Sequence, residues 1–354
     1  MVEVRVPGKL YIAGEYAVVS PGQKSLLISV NKFITVRVKK SNKKGSIKSY
    51  SNIKMIWSRI GDELIIEQED DRFEYIFSAM QIVEKYIKEL NIEPQFYDIE
   101  VLSDLETEDG IKYGLGSSAA IVVAIVKSLL QFYGVEYSKL DLFKLSVLAS
   151  VRINVNGSSG DIASAVFNGF IIYRSFSRKD IKNRLQNESI SSIIKSEWEG
   201  LDIKSIPINK DIKFLIGWTK SPASSQVLVR NSKSHIKNHL DFYNKFLIES
   251  NKCVEDIMNS YINNNFEKLK NAVEKNRQLL NDYARKLNII IENDSLKRLV
   301  DLSKEKGFAS KSSGAGGGDC GIAIYDSKFD TKELEEKWEA NNILKLDLDI
   351  YLGD

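Results

Sequence analysis

Lys112-Tyr-Gly-Leu-Gly-Ser-Ser-Ala-Ala-Ile121 brings together a cation, glycines and two adjacent hydroxyls. That grouping suits an anion. Gly114 and Gly116 let backbone come close to a ligand. If a helix starts here, the N–H groups of Gly114, Leu115, Gly116, Ser117, Ser118 and Ala119 could point at phosphate oxygens. Ser117 and Ser118 add hydroxyls able to bind phosphate or Mg²⁺, and Lys112 supplies charge. The alternative is a helix cap whose glycines serve tight packing. Two more small-residue turns carry hydroxyls, Asn154-Val-Asn-Gly-Ser-Ser-Gly-Asp161 and Lys311-Ser-Ser-Gly-Ala-Gly-Gly-Gly-Asp-Cys320. Together they suggest a cleft where backbone meets several phosphates, although plain turns use the same residues. Lys9, in a buried-looking stretch, and Asp161, at a predicted helix start, can form a charge pair. Asp in that position is otherwise most often a simple N-cap.

The elements that must position these residues follow from hydrophobic period. Tyr97-Asp-Ile-Glu-Val-Leu-Ser103 alternates like a strand, and the apolar run Val122 to Tyr133, closed by Gly134, reads as a buried helix with a glycine stop. The Lys112 turn therefore joins a strand to a buried helix. Val2 to Val6 alternates like an edge strand leading to Lys9, and Lys32 to Lys39 is a half-exposed strand, with short strands continuing to Glu67. Phe73 to Leu90 carries a helical stripe started by Asp70 and Asp71. Ser138-Lys-Leu-Asp141 resembles a capping box opening a helix to about Val151, and Gly169 to Tyr173 reads as a strand.

The polar region Lys179 to Ile208 is the best place for a boundary, giving domains 1–207 and 208–354. Beyond it come a strand, Ile212 to Trp218, and helices over roughly His235 to Ile262, Phe266 to Ile290 and Ser295 to Lys306. The tail Leu344 to Leu352 alternates with period two and should close a sheet. Mixed strand order with clustered helices predicts an α+β fold rather than a doubly wound parallel sheet.

Composition removes several function classes. In 354 residues, 50 Lys plus Arg nearly balance 48 Asp plus Glu, so no strong field favours nucleic acid or an anionic membrane. The longest apolar run, Ala119 to Val126, is too short to span a bilayer, and the first residues lack a signal-peptide core. The two cysteines, Cys253 and Cys320, make no disulfide framework. These features fit a soluble cytoplasmic protein. Cys320 reads as a small packed residue. His235 and His239 could share a helix face, but the residues between them suit a solvated face better than zinc.

Pro7-Gly-Lys-Leu-Tyr-Ile-Ala-Gly-Glu-Tyr16, Gly114-Leu-Gly-Ser-Ser-Ala-Ala120 and the Lys311 to Cys320 turn resemble, in order and spacing, the three signature motifs of the GHMP small-molecule kinases. The likeness runs over essentially the whole chain. Together with Ile216-Gly-Trp-Thr-Lys-Ser-Pro-Ala-Ser-Ser225, it is similar to the bacterial members that act on 5-phosphomevalonate. The resemblance implies a two-domain fold, ribosomal-protein-like then ferredoxin-like, with the active site between. It implies ATP, Mg²⁺ and transfer of the γ-phosphoryl group to 5-phosphomevalonate, giving 5-diphosphomevalonate in the mevalonate route to isoprenoids. Mevalonate kinases carry a metal-binding Glu eleven residues before the catalytic Asp. Ser150 stands there in this chain, so Mg²⁺ would rely on Ser118, phosphate oxygens and waters. The alternatives are mevalonate kinase activity and a non-catalytic nucleotide sensor on the same fold. Oligomeric state stays open, a homodimer included, and Trp57 is a weak candidate for the adenine pocket.

By the same resemblance, Lys9 would bridge the acceptor and γ-phosphates with Asp161 holding it in place, and Lys112 with the 114–119 backbone would hold the nucleotide. Ser158, Ser159, Ser225, Ser313, Gly314 and Ala315 would surround the acceptor, as would Tyr16, which otherwise reads as a core residue with its hydroxyl satisfied. Glu15 reads either as an acceptor-site residue or as a paired buried acid.

Overall fold

The computed structural model describes residues 1–49, 53–61, 63–66, 73–223 and 225–353, without the side chains of 225, 226, 233 and 234. The first sheet is organised on one long strand. β1 (Val2–Ala13) runs antiparallel to β2 (Lys24–Lys40), with a register shift at Pro7/Gly8. Residues 25–30 of β2 are all buried, as expected where both faces are covered, and from Ile34 to Lys39 buried and more exposed positions alternate. One strand thus passes from a double-sided core to a half-solvated face.

β3 (Gly45–Lys48), β4 (Lys54–Ile60) and β5 (Glu63–Ile66) extend the sheet beyond β6 (Tyr97–Ser103), which pairs with residues 34–40 of β2. β7 (Phe170–Arg174) pairs with residues 24–28 and is followed by β8 (Asp202–Ile206). Four helices cover this sheet: α1 (Glu74–Glu89), α2 (Ser117–Phe132), α3 (Lys139–Ile153) and α4 (Gly160–Phe167). α2 packs on β1 and β2 and carries α1 and α3 above it, so it is apolar almost all round. It ends as the sequence predicts, with Gly134 at φ 67° and Val135 N–H bonded to Leu130 O at 2.9 Å. α3 starts in a complete Ser138/Asp141 capping box.

The stretch expected to be a boundary is ordered. α5 (Arg178–Asn187) packs on α3, α6 (Ile190–Lys195) on α1 and α3, and β8 extends the first sheet. Sheet membership changes only after it. β9 (Ile212–Trp218) lies in a second, antiparallel sheet of order β10-β11-β9-β12, with β10 (Ala309–Ser312), β11 (Cys320–Asp326) and β12 (Leu344–Leu346). Its helices are α7 (Ser225–Ile236), α8 (Leu240–Ile262), α9 (Phe266–Leu287), α10 (Asp294–Glu305) and α11 (Lys332–Ala340).

Several expectations are corrected. The helix expected from His235 is two helices, and His235 and His239 fall on opposite sides of the break. The tail serves both sheets: after β12, Ile350 bridges Val30, Asn31 N–H bonds Asp349 O at 3.1 Å, and Tyr351 N–H bonds Ser29 O at 2.9 Å. Trp57 is fully buried against Phe96 and Tyr97, so it is core rather than an adenine platform. Asp70 and Asp71 lie outside the described residues. No helix among the described residues is long and apolar enough to cross a membrane.

Candidate active site

A cleft of about 580 Å³ is lined by β1, the turn before α2, the turn before α4, the start of α5 and the third glycine turn. One wall is built by the entry to α2. Gly116 is the N-cap at φ 82° and no side chain caps the helix. The first internal bond is Ala120 N–H to Gly116 O at 3.2 Å, which leaves the N–H groups of Ser117, Ser118 and Ala119 without a partner inside the helix. Those residues line the cleft, as do Lys112, Gly114 and Gly116. A Cβ on Gly116 would come within 2.8 Å of Lys9 Cε, so the missing side chain is the space that the lysine occupies. Leu115 is core and does not line the cleft; its carbonyl accepts the Lys9 N–H at 2.9 Å.

Lys9 Nζ reaches the Gly114 carbonyl at 3.5 Å and stands 5.3 Å from the Tyr11 ring centroid. Asp319, at φ 56°, enters the same corner beside Gly114. Burial pushes its carboxyl above the usual range, while the Ala223 N–H, Lys9 and Lys112 hold it back. Nothing local to Asp319 in the sequence announces the two lysines.

Asp161, in the first turn of α4, lines the cleft too. Ser158 Oγ is hydrogen-bonded to Tyr11 Oη at 2.9 Å and accepts the Gly160 N–H at 3.1 Å. Ser159 is a non-glycine residue at φ 67° whose Oγ accepts from Arg178 Nη1. Arg178 is buried, and burial lowers its guanidinium pKa against the opposing charge of Asp161. The sequence pass missed Arg178, which lies far along the chain from Asp161 in a polar stretch. Tyr11 was legible in principle, since it is two residues from Lys9 and therefore on the same face of β1.

The third turn departs most from expectation. Ser313 does not line the cleft: its Oγ donates to Tyr11 O at 2.9 Å, accepts the Tyr11 N–H at 3.0 Å, and is spent on the backbone of β1. Gly314 and Ala315 do line it. Tyr16 borders the cleft but packs its ring against Tyr283, 5.0 Å between centroids, and donates its hydroxyl to Ala315 O at 2.6 Å. Burial, then Tyr283 and Glu15, push that phenol well above its ordinary range. Glu15 is the paired buried acid, with Lys311 as its partner. Cys320 Sγ bonds Tyr113 O at 3.1 Å and its thiol is pushed up by burial, which makes it a packed residue. Ser225's side chain lies outside the described residues.

Among the described residues no ion pair joins Lys9 to Asp161, although both line the same cleft. The lysine leans toward Gly114 and Asp319, and Asp161 accepts the Ile162 N–H at 3.1 Å and is the leading opposing charge on Arg178.

The donor set suits Mg²⁺ held mainly through its ligands. No group of three His, Cys, Asp or Glu among the described residues could cage a metal. Ser118 and Asp161 offer hard oxygens at the cleft, which fits an ion that keeps waters and phosphate oxygens.

Two family descriptions match this chain, GHMP kinases N terminal domain over residues 74–169 and GHMP kinases C terminal over residues 258–344. A phosphomevalonate kinase of Streptomyces sp. (strain CL190) is 30% identical, covering 97% of this chain and 95% of its own. Among solved structures, the Lin0012 protein from Listeria innocua superposes with TM-score 0.92 at 34% identity, covering 99% of this chain and 98% of its own. Streptococcus pneumoniae phosphomevalonate kinase in complex with phosphomevalonate and AMPPNP superposes with TM-score 0.88 at 28% identity, covering 99% and 100%.

Proposed function

The chain belongs to the GHMP kinases, and from that premise we infer that it transfers the γ-phosphoryl group of ATP to 5-phosphomevalonate, giving ADP and 5-diphosphomevalonate for isoprenoid synthesis. The observation that carries this reading is one cleft with Lys9, Lys112 and three free N–H groups of α2 at one end and Asp161 at the other.

The chemistry asks mainly for charge control. A phosphomonoester has a second pKa of about 6, so at neutral pH the attacking oxygen is already mostly ionised and needs little from a base. ATP and the acceptor phosphate together bring about six negative charges within a few ångströms, and the repulsion is the barrier to lower. The α2 N–H groups and Lys112 hold the nucleotide phosphates. Lys9, with no carboxylate ion pair among the described residues, spans the γ- and acceptor phosphates. Asp161 orients the acceptor side against Lys9 rather than taking a proton. The acceptor oxygen then bonds to the γ-phosphorus as the β,γ-bridging bond breaks, and ADP leaves with that oxygen. Mg²⁺, when bound at Ser118 and the phosphates, supplies further neutralisation of the transferring group.

Purified protein with Mg-ATP should release ADP with 5-phosphomevalonate and not with mevalonate or without acceptor, and phosphorus NMR should find a diphosphate product. ADP formed with mevalonate alone would favour mevalonate kinase activity. Nucleotide binding without turnover on either acceptor would favour a sensor.

A further inference from the structure

We infer that Arg178 is the positioning residue of the acceptor half of the cleft, clamping the turn before α4 so that Asp161 meets the acceptor phosphate in one orientation. This rests on the kinase reading above.

Arg178 opens α5 directly after β7, and its residue exposure is 6%. A guanidinium does not give up its proton, so a buried one must be held by its surroundings. Its Nη2 donates to Ser150 Oγ at 3.1 Å and to Asn154 O at 2.5 Å, and its Nη1 donates to Ser159 Oγ. One side chain therefore ties the last turns of α3, the turn after it and the N-cap of α4. Ser159, two residues before Asp161, is held in the left-handed region, a backbone state that persists only where neighbours over-determine it.

Two observations separate this from ordinary scaffolding. Arg178 Nε is buried without a hydrogen-bond partner among the described residues, so the fork is not used up in satisfying backbone. Asp161 is the leading opposing charge on the guanidinium, followed by Tyr173 and Tyr75, and the same carboxylate also acts on Tyr11 and Tyr173. Asp161 and Arg178 both line the cleft, so the carboxylate that meets the incoming phosphates does so with a fixed cation as its counter-charge. A neutral clamp could fix the turn, but it would not hold an anion in place while two more anions arrive.

The test is steady-state kinetics of Arg178→Lys and Arg178→Ala with Mg-ATP and 5-phosphomevalonate, beside binding of a fluorescent ATP analogue. Expected is a fall in kcat of about 10²-fold for both variants and a raised KM for the acceptor. ATP-analogue affinity should stay within about 2-fold of wild type. Millimolar guanidinium should restore part of the Arg178→Ala activity where equal sodium or methylammonium does not. Arg178→Lys with wild-type kcat and acceptor KM overturns the inference. So does loss of nucleotide binding in both variants without guanidinium rescue, since the role is then only structural. A wild-type protein inactive on every acceptor overturns the functional reading together with this one, whereas active wild type with unaffected variants overturns the clamp alone.

Discussion

Lys311 and Glu15 form an ion pair sealed from solvent, with side-chain exposures of 0% and 2%, and it ties β10 of the second sheet to the segment leaving β1 of the first. The ammonium also donates to Ser312 O at 2.6 Å. Both partners come from signature turns, so the pair sets the distance between the two walls of the cleft.

Removing one member strands the other charge in the interior. Glu15→Gln or Lys311→Met should each lower stability by about 3–5 kcal/mol, read by denaturant unfolding. Replacing both with Met should cost less than either single change, because no lone charge is left.

Gly116→Ala tests the fit between the phosphate turn and the lysine. At φ 82° an alanine costs about 1–2 kcal/mol, and its Cβ, 2.8 Å from Lys9 Cε, would displace the ammonium. The expected outcome is a folded protein by circular dichroism with kcat lowered more than about 10-fold. Lys9→Met should fall further, by about 10²–10³-fold, with the fold intact.

Asp161→Asn separates positioning from base catalysis. Activity should drop by at least about 10²-fold, while the acid limb of the kcat/KM profile stays near the acceptor phosphate's second pKa of about 6. Disappearance of that limb in the variant would mean that the limb belongs to Asp161 and that it removes a proton.

Asp319 gives a pH test of stability. Its folded carboxyl pKa is raised, first by burial, so the folded state holds the proton more tightly than the unfolded chain. The cost of ionising it is therefore fully present above the folded value and relieved as pH falls through that value toward the unfolded one. At neutral pH Asp319→Asn should raise Tm by roughly 1–2 °C, and the gain should vanish at low pH in differential scanning calorimetry.

Much of this was legible because it is local. The apolar run after Ser118 with its closing Gly134, the Ser138/Asp141 box and the alternation in Lys32 to Lys39 each carry their reason within a few residues. The break between α7 and α8 was not, because no proline or glycine interrupts the helical pattern between His235 and His239. Nor was the direction of a serine in a turn: Ser313 and Ser159 look alike in sequence, yet one bonds to β1 and the other to an arginine on α5. Lys9 and Asp161 line one cleft, but the groups around each, Gly114 for the lysine and Arg178 as the leading opposing charge for the aspartate, depend on tertiary packing that spacing does not encode.

The return of residues 349–351 to β2 bears on the order in which the protein is made. Ser29, the register partner of Lys9, accepts the Tyr351 N–H, and Gly169 N–H bonds Tyr351 O at 2.8 Å. A nascent chain can assemble most of its first sheet early, yet the strand pair bearing Lys9 gains these bonds only once residues 349–351 have been made. A chain cut before residue 349 would lack these bonds and hold the strand that carries Lys9 less firmly.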